Sequence, residues 1–146
     1  MSLSPPIRKL KSRPVTFVFD IPTDKLTEFW AGIQKGKVCA TRCPRCGKIS
    51  FPPTSDCSQC LHSGPEWIEL QGEGEIETFT HVVIRPASFA DHETYTVAVA
   101  KMKEGVKVLA WLTGTKLNDV KVGAKVKLVA RESDDGPTYE FTLAES

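Results

Sequence analysis

The chain passes from an unpatterned start through one helical repeat and then alternates for most of its length. Within "PTDKLTEFWAGIQKG", Leu26, Phe29, Trp30 and Ile33 fall at i, i+3, i+4 and i+7, one face of a 3.6-residue helix. Thr23 stands at the N-cap position, Asp24 and Glu28 occupy the first turns, and Gly36 supplies a stop. After residue 65 the period shortens to two. Ile76, Thr78, Thr80, Val82 and Ile84 share one face of a strand, as do Tyr95, Val97 and Val99. Val106, Val108, Ala110 and Leu112 repeat the pattern, then Val126, Leu128 and Ala130, then Tyr139, Phe141 and Leu143. "EWIEL" is a shorter run ahead of these. Turn chemistry separates them: "GEG" at 72–74, "ASFADHE", "KEG", "TGTKLNDVKVG" and "SDDGP". Five short strands within roughly 75 residues predict a small Greek-key barrel of the OB type, with a sandwich as the competing arrangement.

The predicted helix carries two large aromatics on one short face. Either its own chain covers them, by ribbon and barrel, or a partner does. Residues 1–14 hold three prolines, spaced basic residues and little that packs, and are expected to form a mobile arm. The expected organisation is therefore an arm at 1–14, a helix with a cysteine-bearing segment at 15–64, and a barrel at 65–146.

Composition narrows the class. With 146 residues, 40% hydrophobic and 25% charged, the chain is an ordinary globular protein too short for a large catalytic barrel. The basic N-terminus lacks the apolar run of a signal peptide, and nowhere do about 18 uncharged apolar residues follow one another, so a cytoplasmic, non-membrane protein is expected. The net charge of +1 conceals an asymmetry: residues 1–60 carry ten Lys+Arg against four Asp+Glu, a balance of +6, and residues 61–146 carry nine against fourteen, a balance of −5. Four thiolates on one Zn²⁺ would add −2 to the first half, leaving a surface that still attracts phosphates.

All five cysteines lie in "VCATRCPRCGKISFPPTSDCSQC", residues 38–60. In a chain without a secretion signal, this clustering favours metal binding over disulfides. Cys39, Cys43 and Cys46 have the Cys-x3-Cys-x2-Cys spacing of radical S-adenosylmethionine enzymes, but such chemistry needs a large partial barrel and leaves Cys57 and Cys60 idle. Taken as two knuckles, Cys43, Cys46, Cys57 and Cys60 bring four thiolates around one tetrahedral ion, the arrangement of structural zinc. Gly47 suits the turn after the first knuckle, and "FPPTSD" is short enough to fold as a hairpin. Cys39 is then a small buried residue, and His62 lies beside the second knuckle without replacing a ligand. With all four positions filled by sulfur, the ion has no open site for Lewis-acid chemistry, and its binding supplies folding free energy, on the order of 10 kcal/mol or more. Iron in the same rubredoxin-like site would instead carry electrons.

Little else suggests catalysis. His62, His81 and His92 are scattered, no serine or cysteine lies in a nucleophile motif, and "GEG" lacks the rest of a dinucleotide fingerprint, reading better as a bend or bulge. Glu75 and Glu77 are expected on a solvated strand edge that discourages pairing. Binding chemistry is better represented. Arg42, Arg45 and Lys48 surround the first knuckle, with Phe51 close by and Trp30 on the helix. Cations beside aromatic rings grip phosphates and stack on a base, which suits coenzyme A or single-stranded nucleic acid. Charge compensation of the thiolates, with the aromatics in a small core, accounts for the same residues.

The helix with "FW", then "CPRCG", "FPP", "CSQC", "EWIELQGEGEIETFT", "YTVAVAKMKEGVKVLAWL" and "VKVGAKVKLV", resembles a zinc-ribbon/OB-fold family first catalogued as a domain of unknown function and associated with acyl-CoA and thiolases. The likeness runs from about residue 23 to 143. It implies a mainly β protein, an N-terminal helix and rubredoxin-like ribbon followed by a five-stranded OB barrel, with structural zinc on Cys43, Cys46, Cys57 and Cys60. It further implies an accessory role: binding an acyl-CoA and docking on a thiolase-like enzyme. Archaeal members bridge a thiolase and a hydroxymethylglutaryl-CoA synthase, and bacterial members partner steroid side-chain hydratases and aldolases. The alternative is a nucleic-acid-binding module, which the near-neutral total charge and acidic barrel half disfavour.

Overall fold

In the computed structural model, residues 10–20, 22–133 and 136–144 are described; most of the expected arm, residues 1–9, lies outside them. A 3₁₀ turn at Asp24–Leu26 leads into helix α1, Thr27–Gln34. Thr23 makes no side-chain cap; its carbonyl accepts the Leu26 N–H at 2.8 Å. The helix ends where Gly36 takes a φ of +77°, a value glycine adopts without steric penalty. Phe29 and Ile33 are buried, and Gly32 lies so close to the following strand that an added Cβ would stand 3.2 Å from the Cys39 Sγ.

Three strands follow as a small sheet. β1, Cys39–Arg42, runs between β2, Ile49–Ser50, and β3, Glu66–Glu69, antiparallel to both. The chain then crosses into a closed five-stranded barrel: β4, Glu73–Val82; β5, Tyr95–Met102; β6, Lys107–Leu112; β7, Lys125–Ser133; and β8, Gly136–Leu143. The barrel order is β4-β5-β6-β8-β7, the OB arrangement expected. Gly72 makes the crossing. A Cβ there would sit 2.8 Å from the Leu128 carbonyl oxygen, while its own oxygen accepts the Leu128 N–H at 2.7 Å.

Two strands present faces other than those the alternation predicts. Pairing of β4 with β5 shifts between Ile76 and Thr78, a bulge that inverts the alternation beyond it. Phe79 and His81, not Thr78 and Thr80, therefore stand opposite the buried Ala98 and Thr96, and His81 Nδ1 lies 3.0 Å from the Thr96 Oγ1. On β5 the interior face is Thr96, Ala98, Ala100 and Met102; Tyr95, Val97 and Val99 point outward. A five-stranded barrel has room for few large side chains, and Phe141, Ile76, Val108 and Val126, each no more than 1% exposed, take most of it. Small alanines on β5 fit what remains. β4 is paired on both sides at Glu73–Glu75, so these acids do not form an edge. Glu73, Glu75 and Glu77 instead bind Lys103, Lys125 and Lys107 as exposed ion pairs.

The helix is covered by its own chain. α1 packs on β1, β7 and β8, and the Phe29 ring meets Phe51 and Tyr139 edge-to-face, both at 6.1 Å. Phe51 and Tyr139 close the triangle at 5.3 Å. These three rings join helix, ribbon and barrel. Phe29→Ala is expected to lower the unfolding free energy of the zinc-loaded protein by about 3 kcal/mol, as for other buried phenylalanines, without changing zinc content. Denaturant unfolding with parallel metal analysis checks this, and a loss under about 1 kcal/mol would remove the junction from that role.

Candidate metal centre and its surroundings

The four sulfurs of Cys43, Cys46, Cys57 and Cys60 lie within 4.8 Å of one another. Two of the separations are 3.5 Å, Cys43 to Cys60, and 3.6 Å, Cys46 to Cys57. Tetrahedral Zn–S bonds of about 2.3 Å place sulfurs roughly 3.8 Å apart, so the donor set fits Zn²⁺ in both number and spacing.

Each pair is held by the same backbone device. The Cys43 N–H bonds the Lys48 carbonyl at 2.9 Å and the Gly47 N–H bonds the Cys43 carbonyl at 2.8 Å. In the second knuckle, the Cys57 N–H bonds the His62 carbonyl and the Leu61 N–H bonds the Cys57 carbonyl, both at 2.9 Å. The fourth residue after each first cysteine takes positive φ, +76° at Gly47 and +57° at Leu61. Leucine rarely adopts that conformation, and at 82% exposure it gains nothing there by burial, so turn geometry alone imposes it. The sequence signals the first turn through its glycine. The second carries no such signal.

In the metal-free cluster the thiols are unequal. Backbone N–H groups of Cys60 and Gln59 draw the Cys57 thiol down to about 6, against the effect of burial. Burial raises the Cys43 thiol, but N–H groups of Cys46 and Arg45 outweigh it and leave it lowered. For Cys46 the Lys48 N–H favours the thiolate, yet burial and the contacts with Cys57, Cys43 and Cys60 push it up to about 12. Four sulfurs this close do not all ionise without a cation between them. Cys39 stands apart at the start of β1, half-buried, its thiol raised first by burial and then by Glu69. His62 contributes a backbone carbonyl to the second knuckle and no ring atom to the sulfur cluster.

The proposed ligand-contact residues fall into two groups. Trp30 and Phe51 are half-buried against the core, and the Trp30 ring meets Phe29 edge-to-face at 5.0 Å. The Trp30 indole Nε1 is buried without a hydrogen-bond partner among the described residues. Arg42, Arg45 and Lys48 are all exposed around the first knuckle. Arg42 pairs with Glu66 at 3.2 Å and Lys48 donates to the Ser58 Oγ at 2.8 Å. What the alternation did not reveal is an aromatic group on the outside of the barrel. The Tyr95 and Trp111 rings stack at 4.4 Å and 12°, and Phe89 and His92 from the β4–β5 connection close over them.

No helix is long and apolar enough to cross a membrane among the described residues. Protons compete with the ion for every sulfur, so zinc affinity falls as pH falls. The fall steepens below about pH 6, where Cys57 also regains its proton in the metal-free ribbon. Zinc release measured with a chromophoric chelator is expected to be slight at pH 8 and extensive near pH 5. Cys46→Ser should release zinc at pH 8, and retention of a full equivalent would remove Cys46 from the ligand set.

Comparison with known proteins agrees with this geometry. A profile for the ChsH2 rubredoxin-like zinc ribbon domain matches residues 30–66, and one for the ChsH2 C-terminal OB-fold domain matches residues 67–131. The chain is 31% identical over 106 residues to a DUF35 domain-containing scaffold protein of Methanocaldococcus jannaschii, covering 68% of this chain and 75% of that one. A protein of the same description from Methanothermobacter thermautotrophicus is 26% identical over 108 residues, covering 70% and 81%. Among solved structures, a chain of the Ltp2-ChsH2(DUF35) aldolase superposes with a TM-score of 0.71 at 20% identity, covering 82% of this chain and 94% of that one. At that identity the match shows shared fold.

Proposed function

This chain belongs to the DUF35 family of zinc-ribbon/OB-fold proteins, and we propose that it is a non-catalytic scaffold that binds an acyl-CoA and docks on a thiolase-superfamily enzyme. The observation that carries the reading is the closed metal site. Four sulfurs fill a tetrahedral ion, so the zinc holds the ribbon's shape and takes no substrate. Among the described residues His81 meets the Thr96 hydroxyl at 3.0 Å beside a cleft that His92 and Glu93 also line, but that hydroxyl is buried in the barrel interior. Work done by this chain is then work done by its surfaces. Relatives described as scaffold proteins and the fold shared with a chain of the Ltp2-ChsH2(DUF35) aldolase support a partner enzyme that performs the carbon chemistry.

Within this reading Arg42, Arg45 and Lys48 meet the phosphates of coenzyme A, and the ribbon supplies most of the docking surface. Arg45 is the cation of the three without a side-chain partner among the described residues. The apolar face of α1 is engaged within the chain, so the helix offers a partner its polar side. Trp30 and Phe51 then act as the floor beneath the ligand rather than as free stacking surfaces. The alternative, a single-stranded nucleic-acid module, draws support from the exterior Tyr95–Trp111 stack, the kind of platform on which bases lie. Asp91 and Glu93 flank that platform in sequence and oppose a phosphate backbone.

Fluorescence anisotropy of a labelled acyl-CoA, titrated with the zinc-loaded protein alone and with a thiolase from the same organism, tests the proposal. Saturable binding unaffected by unlabelled single-stranded oligonucleotide is expected, and Arg45→Glu should weaken it by about tenfold, a charge reversal worth roughly 1.4 kcal/mol. Absence of binding with and without the enzyme would overturn the acyl-CoA reading, and displacement by the oligonucleotide would favour the alternative.

A further inference from the structure

The barrel closes unevenly. β6 and β8 run parallel, and their ladder consists of Trp111 opposite Glu140 and Leu112 opposite Phe141. Before those residues the two strands splay apart, and a cleft of about 660 Å³ opens between Leu109–Ala110 on one side and Gly136–Tyr139 on the other. Pro137 lies on this edge of β8 and has no N–H to donate, which is one reason the ladder stops. Phe89, His92 and Trp111 form the apolar wall above, and Leu109 is 61% exposed inside it. The result is two facing strand edges with an aromatic wall and no occupant from the barrel among the described residues.

The same chain carries an extended segment suited to that slot. Val15, Phe17, Val18 and Phe19 lie before α1 with 72–86% of their surfaces exposed. Val15, Phe17 and Phe19 alternate onto one side, and the Phe17 and Phe19 rings are stacked at 6.1 Å. Four large apolar side chains in sequence without cover are unusual on a free surface. Residues 15–19 extend about 17 Å, the length of an ordinary strand. A strand of that length, about 5 Å wide and 10 Å deep with its side chains, occupies on the order of 800 Å³, comparable to the cleft with one face left to solvent.

The charges agree with this fit. Lys11 and Arg13 precede the apolar run, and the sequence adds Arg8 and Lys9. Around the cleft, Asp91 and Glu93 flank His92, and Glu132 precedes Ser133. Arg131, the nearby cation, is already bound to Glu140 at 2.7 Å. A basic, apolar arm thus faces an acidic-rimmed, apolar slot.

We infer that residues 15–19 of one copy add as a strand between β6 and β8 of a second copy, and that the second copy returns the exchange. Backbone hydrogen bonds to the two open edges hold the arm, and Phe17 and Phe19 seat against Leu109 and Trp111. A reciprocal exchange of this kind gives a closed two-fold dimer. The inference does not depend on the acyl-CoA reading, because ribbon and zinc play no part in it.

Sedimentation velocity of the full zinc-loaded chain at micromolar concentrations tests it. A particle of twice the chain mass is expected. Both the arm variant Phe17→Asp with Phe19→Asp and the cleft variant Leu109→Arg should sediment as single chains at the same concentrations. All three substituted positions are exposed, so each variant is expected to fold, and retained zinc with an unchanged far-UV spectrum confirms that it has. A wild-type protein that remains monomeric, or a dimer that survives in either variant, overturns the inference.

Discussion

Four sulfurs that must meet on one divalent ion govern the structure between residues 39 and 69. The strands there are too short to bury a core of their own: β2 has two residues, and β1 and β3 have four each. Metal binding in place of burial is how a segment of this size holds a shape. Because both cysteine pairs sit on tight turns, the ion also fixes where β1 ends and the chain turns back toward β2 and β3. Through Leu70, whose N–H bonds the Val38 carbonyl at 2.9 Å, that geometry passes to the entrance of the barrel.

The ribbon and barrel are joined by aromatic packing. Phe29, Phe51 and Tyr139 come from the helix, the ribbon and the last strand, and no pair of them would be adjacent without the other elements in place. Burial of Tyr139 raises its hydroxyl's pKa, as expected of a phenol withdrawn from water. The metal therefore shapes the ribbon, while apolar contact orients it on the barrel. This separation explains why Trp30 and Phe51, expected at a ligand surface, lie half-buried against the core. At the join between two small units, large rings serve packing first.

What the sequence disclosed followed from how local each signal was. Cys-x2-Cys repeated after ten residues names its partners outright, and the helix face of Phe29 and Ile33 needs only a count of residues. The strands of β6, β7 and β8 were legible for the same reason, since Val108, Leu112, Val126, Leu128 and Phe141 point inward as the alternation predicts. On β5 the rule inverts. Ala98 and Ala100 fill a narrow interior and the valines face out, a choice set by Phe141, Ile76 and Val126 from other strands of the barrel. The bulge after Ile76 is equally non-local, because alternation gives no notice of one extra residue in a strand. Leu61 hides its turn by occupying, without glycine, a conformation that glycine would advertise. The exterior stack of Tyr95 on Trp111 was missed with the β5 face, since it exists only once Tyr95 is turned outward.

That inversion bears on function. An antiparallel barrel usually spends its large apolar residues inside and shows polar ones to water. Here the interior has limited volume, so Val97, Val99, Leu109 and Trp111 are carried on the outside of β5 and β6, beside exposed Val83 and Ile84. Charged residues border this patch, in the pairs of Glu73, Glu75 and Glu77 with Lys103, Lys125 and Lys107, and a second group forms the basic edge around the first knuckle. One side of the barrel is thus suited to dry contact, and the ribbon to anionic ligands. A protein whose metal site is closed and whose exterior is divided in this way has its chemistry in what it holds together. Segregation of the two surfaces lets one be occupied without excluding the other.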